Sequence, residues 1–83
     1  MVTVIVGDGE ITLTWDEISG ATAYGVYYYT NGKYYKQTVT AETSFTIGNL
    51  VNGVEYEFLV QSYVDGAWSA FTTADHVTAT PTA

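Results

Sequence analysis

An Asn-Gly turn ahead of a tyrosine, followed by alternating side chains, constrains the fold more than any other feature of the sequence. The segment Leu50–Val60 places Asn52 and Gly53 before Tyr56, and aromatic or aliphatic residues then alternate with charged and polar ones. Asn and Gly adopt the backbone angles of tight turns at little steric cost, and successive side chains of a strand point to opposite faces. The segment therefore predicts a strand that the chain enters through a corner.

The same alternation runs through most of the 83 residues, and helical spacing never persists for more than a turn. Turn dipeptides separate the strand-like segments, and Asn31-Gly32 gives the strongest hairpin signal. The predicted strands are residues 2–6, 10–16, 23–30, 33–40, 44–47, 55–64 and 75–80. Seven short strands at this spacing predict an all-β, seven-stranded Greek-key β-sandwich with one core.

Composition and charge exclude several classes of function. Hydrophobic residues make up 47% of the chain, which is too many for disorder, and no apolar run approaches the roughly 20 residues of a membrane span. The chain has nine acidic residues and only two lysines, and the resulting net charge of -7 opposes binding to nucleic acid or to an anionic membrane. We expect a single domain over residues 1–83, monomeric in isolation, with a linker beginning at residues 80–83.

The residues that commonly carry catalysis are scarce. There is no cysteine and only one histidine, His76, which leaves a nucleophilic hydroxyl with a single possible base. Asp16 and Glu17 are adjacent, and neighbouring strand residues point to opposite faces, which suits neither acid–base pairing nor metal chelation. We therefore predict a protein that is not an enzyme and has no catalytic, cofactor-binding or metal site.

A further pattern in the sequence consists of Trp15, Tyr24-Gly25-Val26-Tyr27-Tyr28, Leu50, Gly53, Tyr56, Phe58 and Val60. This pattern resembles that of the fibronectin type III family. The resemblance covers about residues 10–81 and implies an immunoglobulin-like sandwich with a tyrosine corner, in which the Tyr56 hydroxyl bonds to backbone a few residues upstream. The first strand departs from the family pattern because it lacks the usual prolines.

The resemblance also implies a setting for the domain. The spacing in the segment Asp65–Ser69 is similar to that of bacterial family members, which implies a spacer or protein-interaction module of a larger secreted or cell-surface bacterial protein. The expected partners are then the neighbouring domains of that chain. Two alternatives stay open: a carbohydrate-binding accessory module, and an engineered binding scaffold.

The tyrosines divide between an expected core and an expected surface. The predicted core residues are Trp15, Tyr24, Val26, Tyr28, Phe45, Ile47, Leu50, Tyr56, Phe58 and Val60. If Tyr24, Val26 and Tyr28 face inward, the pleat turns the intervening tyrosines outward, and a hairpin at Asn31-Gly32 sets Tyr29 opposite Tyr34 and Tyr27 opposite Lys36. The resulting candidate surface for a protein or glycan partner, here called the aromatic face, consists of Tyr27, Tyr29, Tyr34, Lys36, Tyr63 and Trp68.

Each part of the aromatic face also has a structural interpretation. Cross-strand aromatic pairs on a solvated face stabilise a sheet by roughly 0.2–1 kcal/mol each, so the tyrosines need no partner to be useful. Trp68 precedes the last predicted strand, where we expect a buried lid on the edge of the sandwich, with stacking on a sugar ring or partner as the alternative.

Overall fold

The computed structural model of the protein describes residues 2–69 and 75–83, and the regular structure in those ranges consists of β-strands without helices. The eight strands are β1 (Val2–Gly7), β2 (Glu10–Trp15), β3 (Ala21–Thr30), β4 (Lys33–Thr40), β5 (Ser44–Ile47), β6 (Tyr56–Val64), β7 (Ala67–Trp68) and β8 (Asp75–Ala79). The predicted all-β fold class is confirmed.

The strands form two antiparallel sheets. One has the order β1-β2-β5, and the other has the order β4-β3-β6, with β7 and β8 both paired to β6. Since β3 occupies one side of β6, the two short strands share its other side. The single last strand predicted from the sequence is thus accompanied by a further segment, β7, whose two residues are too few to show a periodicity.

The hairpins follow the turn dipeptides. Asn31 and Gly32 have φ values of 52° and 77°, as a turn with two left-handed central residues requires, and Thr30 pairs with Lys33 on either side of them. The first hairpin, which departs from the family pattern in sequence, is fully paired from Val2↔Trp15 to Gly7↔Glu10. A tight turn at its end is therefore sufficient to set the register without the prolines.

The core lies between the sheets and contains every residue predicted for it. Tyr28 and Phe45 are partly buried against the cluster, and the other eight predicted residues are buried. Ile11 and Leu13, which the alternation of residues 10–16 predicts to point inward with Trp15, are buried as well, and Val2 is a buried member that the sequence did not indicate. Fully burying an aliphatic or phenyl side chain of this kind contributes roughly 1.5–3 kcal/mol, so these contacts supply most of what holds the sheets together.

Two tyrosine hydroxyls tie loops to this core. The Val51 amide donates to the Tyr56 hydroxyl at 3.0 Å, which confirms the predicted tyrosine corner. The Ile18 amide donates to the Tyr24 hydroxyl at 2.9 Å, so the loop between β2 and β3 is held in the same way. Both bonds satisfy backbone donors that the sheets leave unpaired.

Asn52 clamps the β1–β2 turn to the loop between β5 and β6. Its Oδ1 accepts from the Gly9 amide at 2.7 Å, and its Nδ2 donates to Asp8 Oδ1 at 2.7 Å. The Leu50 amide donates to the Gly9 carbonyl at 2.9 Å beside them. Loops more than 40 residues apart in sequence are thereby fixed against each other.

Candidate partner-binding face

The outer side of the β4-β3-β6-β7 sheet brings the aromatic face together. Tyr29 pairs with Tyr34 and Tyr27 pairs with Lys36, which confirms the predicted hairpin register. The rings of Tyr29 and Tyr34 lie 4.7 Å apart between centroids with their planes at 54°. Tyr34 at the outer strand is half exposed, at 50%.

A bulge in β4 adds an aliphatic residue to this side of the sheet. Val26 pairs with Thr38 while Tyr27 pairs with Lys36, so Gln37 is an extra residue between the two pairs. Beyond it Val39 pairs with Gly25, two residues from Tyr27 and therefore on the same side of the sheet, and its side chain is exposed. Sequence pattern alone does not indicate that Val39 lies on this side, because a bulge shifts the alternation that a strand pattern assumes.

Trp68 lies on β7, where it packs against the outer side of the sheet. Its ring centroid is 5.0 Å from that of Tyr63, to which it is paired across the strands. A Cβ placed on Gly25 would lie 3.4 Å from Cζ3 of the indole and 3.4 Å from Cε1 of Tyr27. Both rings therefore pack directly over the backbone of this glycine. The expectation of a buried lid is wrong: the side chain is 42% exposed, because it covers a glycine on the outer side instead of reaching the core.

Beneath the aromatic rings the sheet has a buried aliphatic position. Leu59 pairs with Tyr27 on one side and His76 on the other, and is only 4% exposed although it points away from the core. His76 Nδ1 lies 3.2 Å from Glu57 Oε2, so the one histidine is paired with a carboxylate on this side. Alternation along β6 is sufficient to place Leu59 on this side of the sheet, but its burial depends on neighbours that only the fold brings together.

Charge is distributed unevenly around the face. Both lysines of the chain, Lys33 and Lys36, lie on β4, which is the outer strand of its sheet. Lysines on such a strand discourage pairing with other chains, so their position already has a structural reason. They also make this edge the one place where the cationic side chains of a protein of net charge -7 are concentrated.

The outer side of the other sheet has a different chemistry. Thr12 and Thr46 pair across β2 and β5 with their hydroxyls 2.8 Å apart, and the Thr3 hydroxyl donates to the Thr14 carbonyl at 3.3 Å. Beside these bonded hydroxyls the same side exposes the aliphatic Ile5, opposite Thr12, but no aromatic ring among the described residues. The aromatic side chains are therefore a property of one face and not of the whole exterior.

Among the described residues, no three histidine, aspartate or glutamate side chains lie close enough together to hold a metal ion. In the same ranges the chain has no helix with the length and apolar character needed to cross a membrane.

The two sheets, their strand order and the tyrosine corner define an immunoglobulin-like β-sandwich. The model of the fibronectin type III domain matches residues 2–75, and the chain belongs to that family. This confirms the resemblance in the sequence.

Solved structures agree with the family at the level of the fold. The crystal structure of FN3tt has a TM-score of 0.82 at 22% identity and covers 98% of this chain and 86% of its own. A Fn3-like protein from Clostridium thermocellum has a TM-score of 0.79 at 18% identity, with coverage of 94% and 84%. The fn3 domain of human collagen alpha-1(XX) chain has a TM-score of 0.79 at 23% identity, with coverage of 99% and 81%. A search of curated protein sequences finds no match.

Proposed function

We propose that this domain is a non-catalytic module of a larger secreted or cell-surface bacterial protein, and that its aromatic face binds a partner protein. Fibronectin type III domains are generally non-catalytic, occur within multidomain chains and are often extracellular. The likeness to a domain of a collagen chain and to a Clostridium protein supports this setting. The neighbouring domains of the same chain are the first partners to consider.

The observation that carries the proposal is the contrast between the two outer faces. Trp68 and Tyr34 are exposed aromatic side chains on one sheet, whereas the other sheet exposes bonded threonines and the aliphatic Ile5. Tyr and Trp offer large contact areas with few rotatable bonds and a polar end that tolerates water when no partner is bound. A face of this composition matches the buried centre of protein interfaces, where aromatic residues are enriched.

A glycan is the second candidate, favoured by Trp68 in particular. Its partly exposed indole stands beside Tyr63, with ring planes at 55°, so an incoming sugar would meet an inclined pair of rings and not one flat platform. That inclination favours the protein partner over a polysaccharide chain stacked along the sheet.

Titrations followed by amide NMR separate the candidates. The probes are the domains that flank this one in its parent chain, expressed separately, and the hexasaccharides of cellulose, xylan and chitin. Shifts at Tyr34 and Trp68 with a flanking domain support the proposal, shifts with a sugar at millimolar concentration replace it with the glycan candidate, and no shift with either leaves a spacer.

Matched substitutions assign any observed binding to the face. Tyr34→Thr and Trp68→Thr should abolish the shifts, whereas Ile5→Thr should leave them unchanged. Ile5 is 66% exposed on β1 in the other sheet, so the control removes a comparable exposed apolar side chain outside the aromatic face. Binding that all three variants retain would place the contact elsewhere.

A further inference from the structure

The chain contains two Asn-Gly dipeptides, Asn31-Gly32 and Asn52-Gly53, and the fold holds them in opposite ways. We propose that Asn31 is a site of spontaneous covalent modification, conversion to aspartate and isoaspartate, and that Asn52 is protected by its hydrogen bonds. The inference is independent of any partner of the aromatic face.

The reaction needs only the chain and water. The deprotonated backbone nitrogen of the following glycine attacks Cγ of the asparagine, a C–N bond forms, and the side-chain nitrogen takes up a proton and leaves as ammonia. Water then opens the five-membered imide at either carbonyl, which yields aspartate or isoaspartate and one more negative charge. Glycine favours the attack because it has no side chain to crowd its nitrogen and allows the backbone to rotate.

Each of the three groups that would have to move at Asn52 is held. Its Oδ1 and Nδ2 are bonded to the Gly9 amide and to Asp8 Oδ1, each at 2.7 Å. The attacking nitrogen, that of Gly53, donates to the Pro81 carbonyl at 2.9 Å. Reaction at this position requires these bonds to break together, which also separates the β1–β2 turn from the loop before β6.

Asn31 is held by much less. Both residues of the turn are exposed, and a Cβ on Gly32 would meet nothing within 4 Å. Among the described residues, neither the Asn31 side chain nor the Gly32 amide has a hydrogen-bond partner. The restraint that remains is the turn conformation, closed by the Thr30↔Lys33 pair at the end of β3 and β4. Fraying of this one pair frees the backbone for attack without disturbing the core.

Modification would change the hairpin that supports part of the aromatic face. Isoaspartate adds a methylene to the main chain and so lengthens the two-residue turn between Thr30 and Lys33. The Tyr29↔Tyr34 pair directly follows the Thr30↔Lys33 pair that closes the turn, so modification of Asn31 would change the packing of these two rings.

Trypsin provides a direct measurement. The only lysines are Lys33 and Lys36 and there is no arginine, so digestion yields peptides 1–33, 34–36 and 37–83. Peptide 1–33 contains Asn31 as its only side-chain amide, and peptide 37–83 contains Asn52. After incubation of the folded protein at mildly alkaline pH, mass spectrometry should show conversion of Asn31 at least about tenfold faster than that of Asn52. A tenfold ratio of rates corresponds to a free-energy difference only slightly larger than the typical net contribution of one hydrogen bond. Reaction at Asn52 requires three such bonds to break.

Two further measurements separate protection by the fold from the intrinsic reactivity of the Asn-Gly dipeptide. In urea the two dipeptides should convert at similar rates, because no hydrogen bond protects either one. Asp8→Ala removes the acceptor of Asn52 Nδ2 and should accelerate conversion of Asn52 within peptide 37–83, while an unchanged circular dichroism spectrum shows that the domain is still folded. Any of three results would overturn the proposal. In the folded protein the two sites could convert at equal rates, or Asn52 could convert faster. The third is that Asn31 of the folded protein does not convert under conditions where the sample in urea reacts.

Discussion

Removing the hydroxyl of Tyr56 tests the tyrosine corner on which the sequence interpretation began. The change Tyr56→Phe keeps the ring in the core, where it contacts Tyr28 at 5.3 Å between centroids and Phe58 at 6.1 Å. The Val51 amide loses its acceptor, and because Val51 lies in an exposed loop, water can replace part of the bond. We expect a loss of about 1 kcal/mol in the free energy of unfolding, which is the typical net value of one hydrogen bond.

Urea titration measures this loss directly. The midpoint should fall while the slope m stays constant, since the substitution changes stability without changing the surface exposed on unfolding. In a domain of this size about 1 kcal/mol lowers the melting temperature by roughly 4–8 °C, which calorimetry resolves. Tyr24→Phe should give a similar loss through the Ile18 amide.

Tyr35→Phe is the matched control. Tyr35 stacks on Tyr28 at 5.2 Å, and its exposed hydroxyl has no hydrogen-bond partner among the described residues. Its removal should change stability by less than about 0.5 kcal/mol, as for surface substitutions in general. A loss below about 0.3 kcal/mol for Tyr56→Phe, or a loss equal to that of the control, would refute the corner as a stabilising bond, given typical values near 1 kcal/mol.

Three further changes test the core, the backbone and the aromatic face. Phe58→Ala, at a side chain with no exposure, should cost roughly 3–5 kcal/mol and leave little folded protein if total stability is near 5 kcal/mol, which circular dichroism will show. Gly53→Ala should lower the free energy of unfolding by about 1–2 kcal/mol, because φ is 84° at that position. Gly48 is the control: it is equally free of neighbours within 4 Å but has no positive φ, so Gly48→Ala should leave the free energy of unfolding unchanged. Equal losses for the two variants in urea titration would contradict a backbone origin. Tyr34→Thr should cost less than about 1 kcal/mol, the upper value for a cross-strand pair, and a larger loss would make the tyrosine structural.

The sequence was sufficient for the elements that local chemistry determines. The bounds of β4 and β5 agree with those predicted, and Asn31-Gly32 fixes the register of the β3–β4 hairpin as far as the bulge at Gln37. The same turn is sufficient to place Tyr29 opposite Tyr34 from the sequence alone. Where turn chemistry and alternation agree, little freedom remains.

Features that depend on contacts distant in sequence were not predictable. The Asn52 clamp joins residues 43 and 44 positions apart, and nothing in the pattern at either end indicates the other. The exposure of Trp68 was not predictable for a similar reason. A statistical preference for buried tryptophan does not reveal that Gly25, on another strand, leaves room for the indole on the outer side of the sheet.

The pairing of Trp68 with Gly25 bears on whether the aromatic face belongs to stability or to recognition. A glycine within a strand exposes backbone and contributes no side chain, and an aromatic ring that covers it restores part of the lost stability. That argument explains the indole beside β3 and the Tyr63 ring next to it. It does not extend to Tyr34, which lies on the outer strand β4 opposite another tyrosine and remains exposed, as does Val39 on the same strand. Structural need therefore accounts for the β7 side of the face, and the β4 side, beside the two lysines, is the part on which the proposed partner binding depends and which the Tyr34→Thr titration tests.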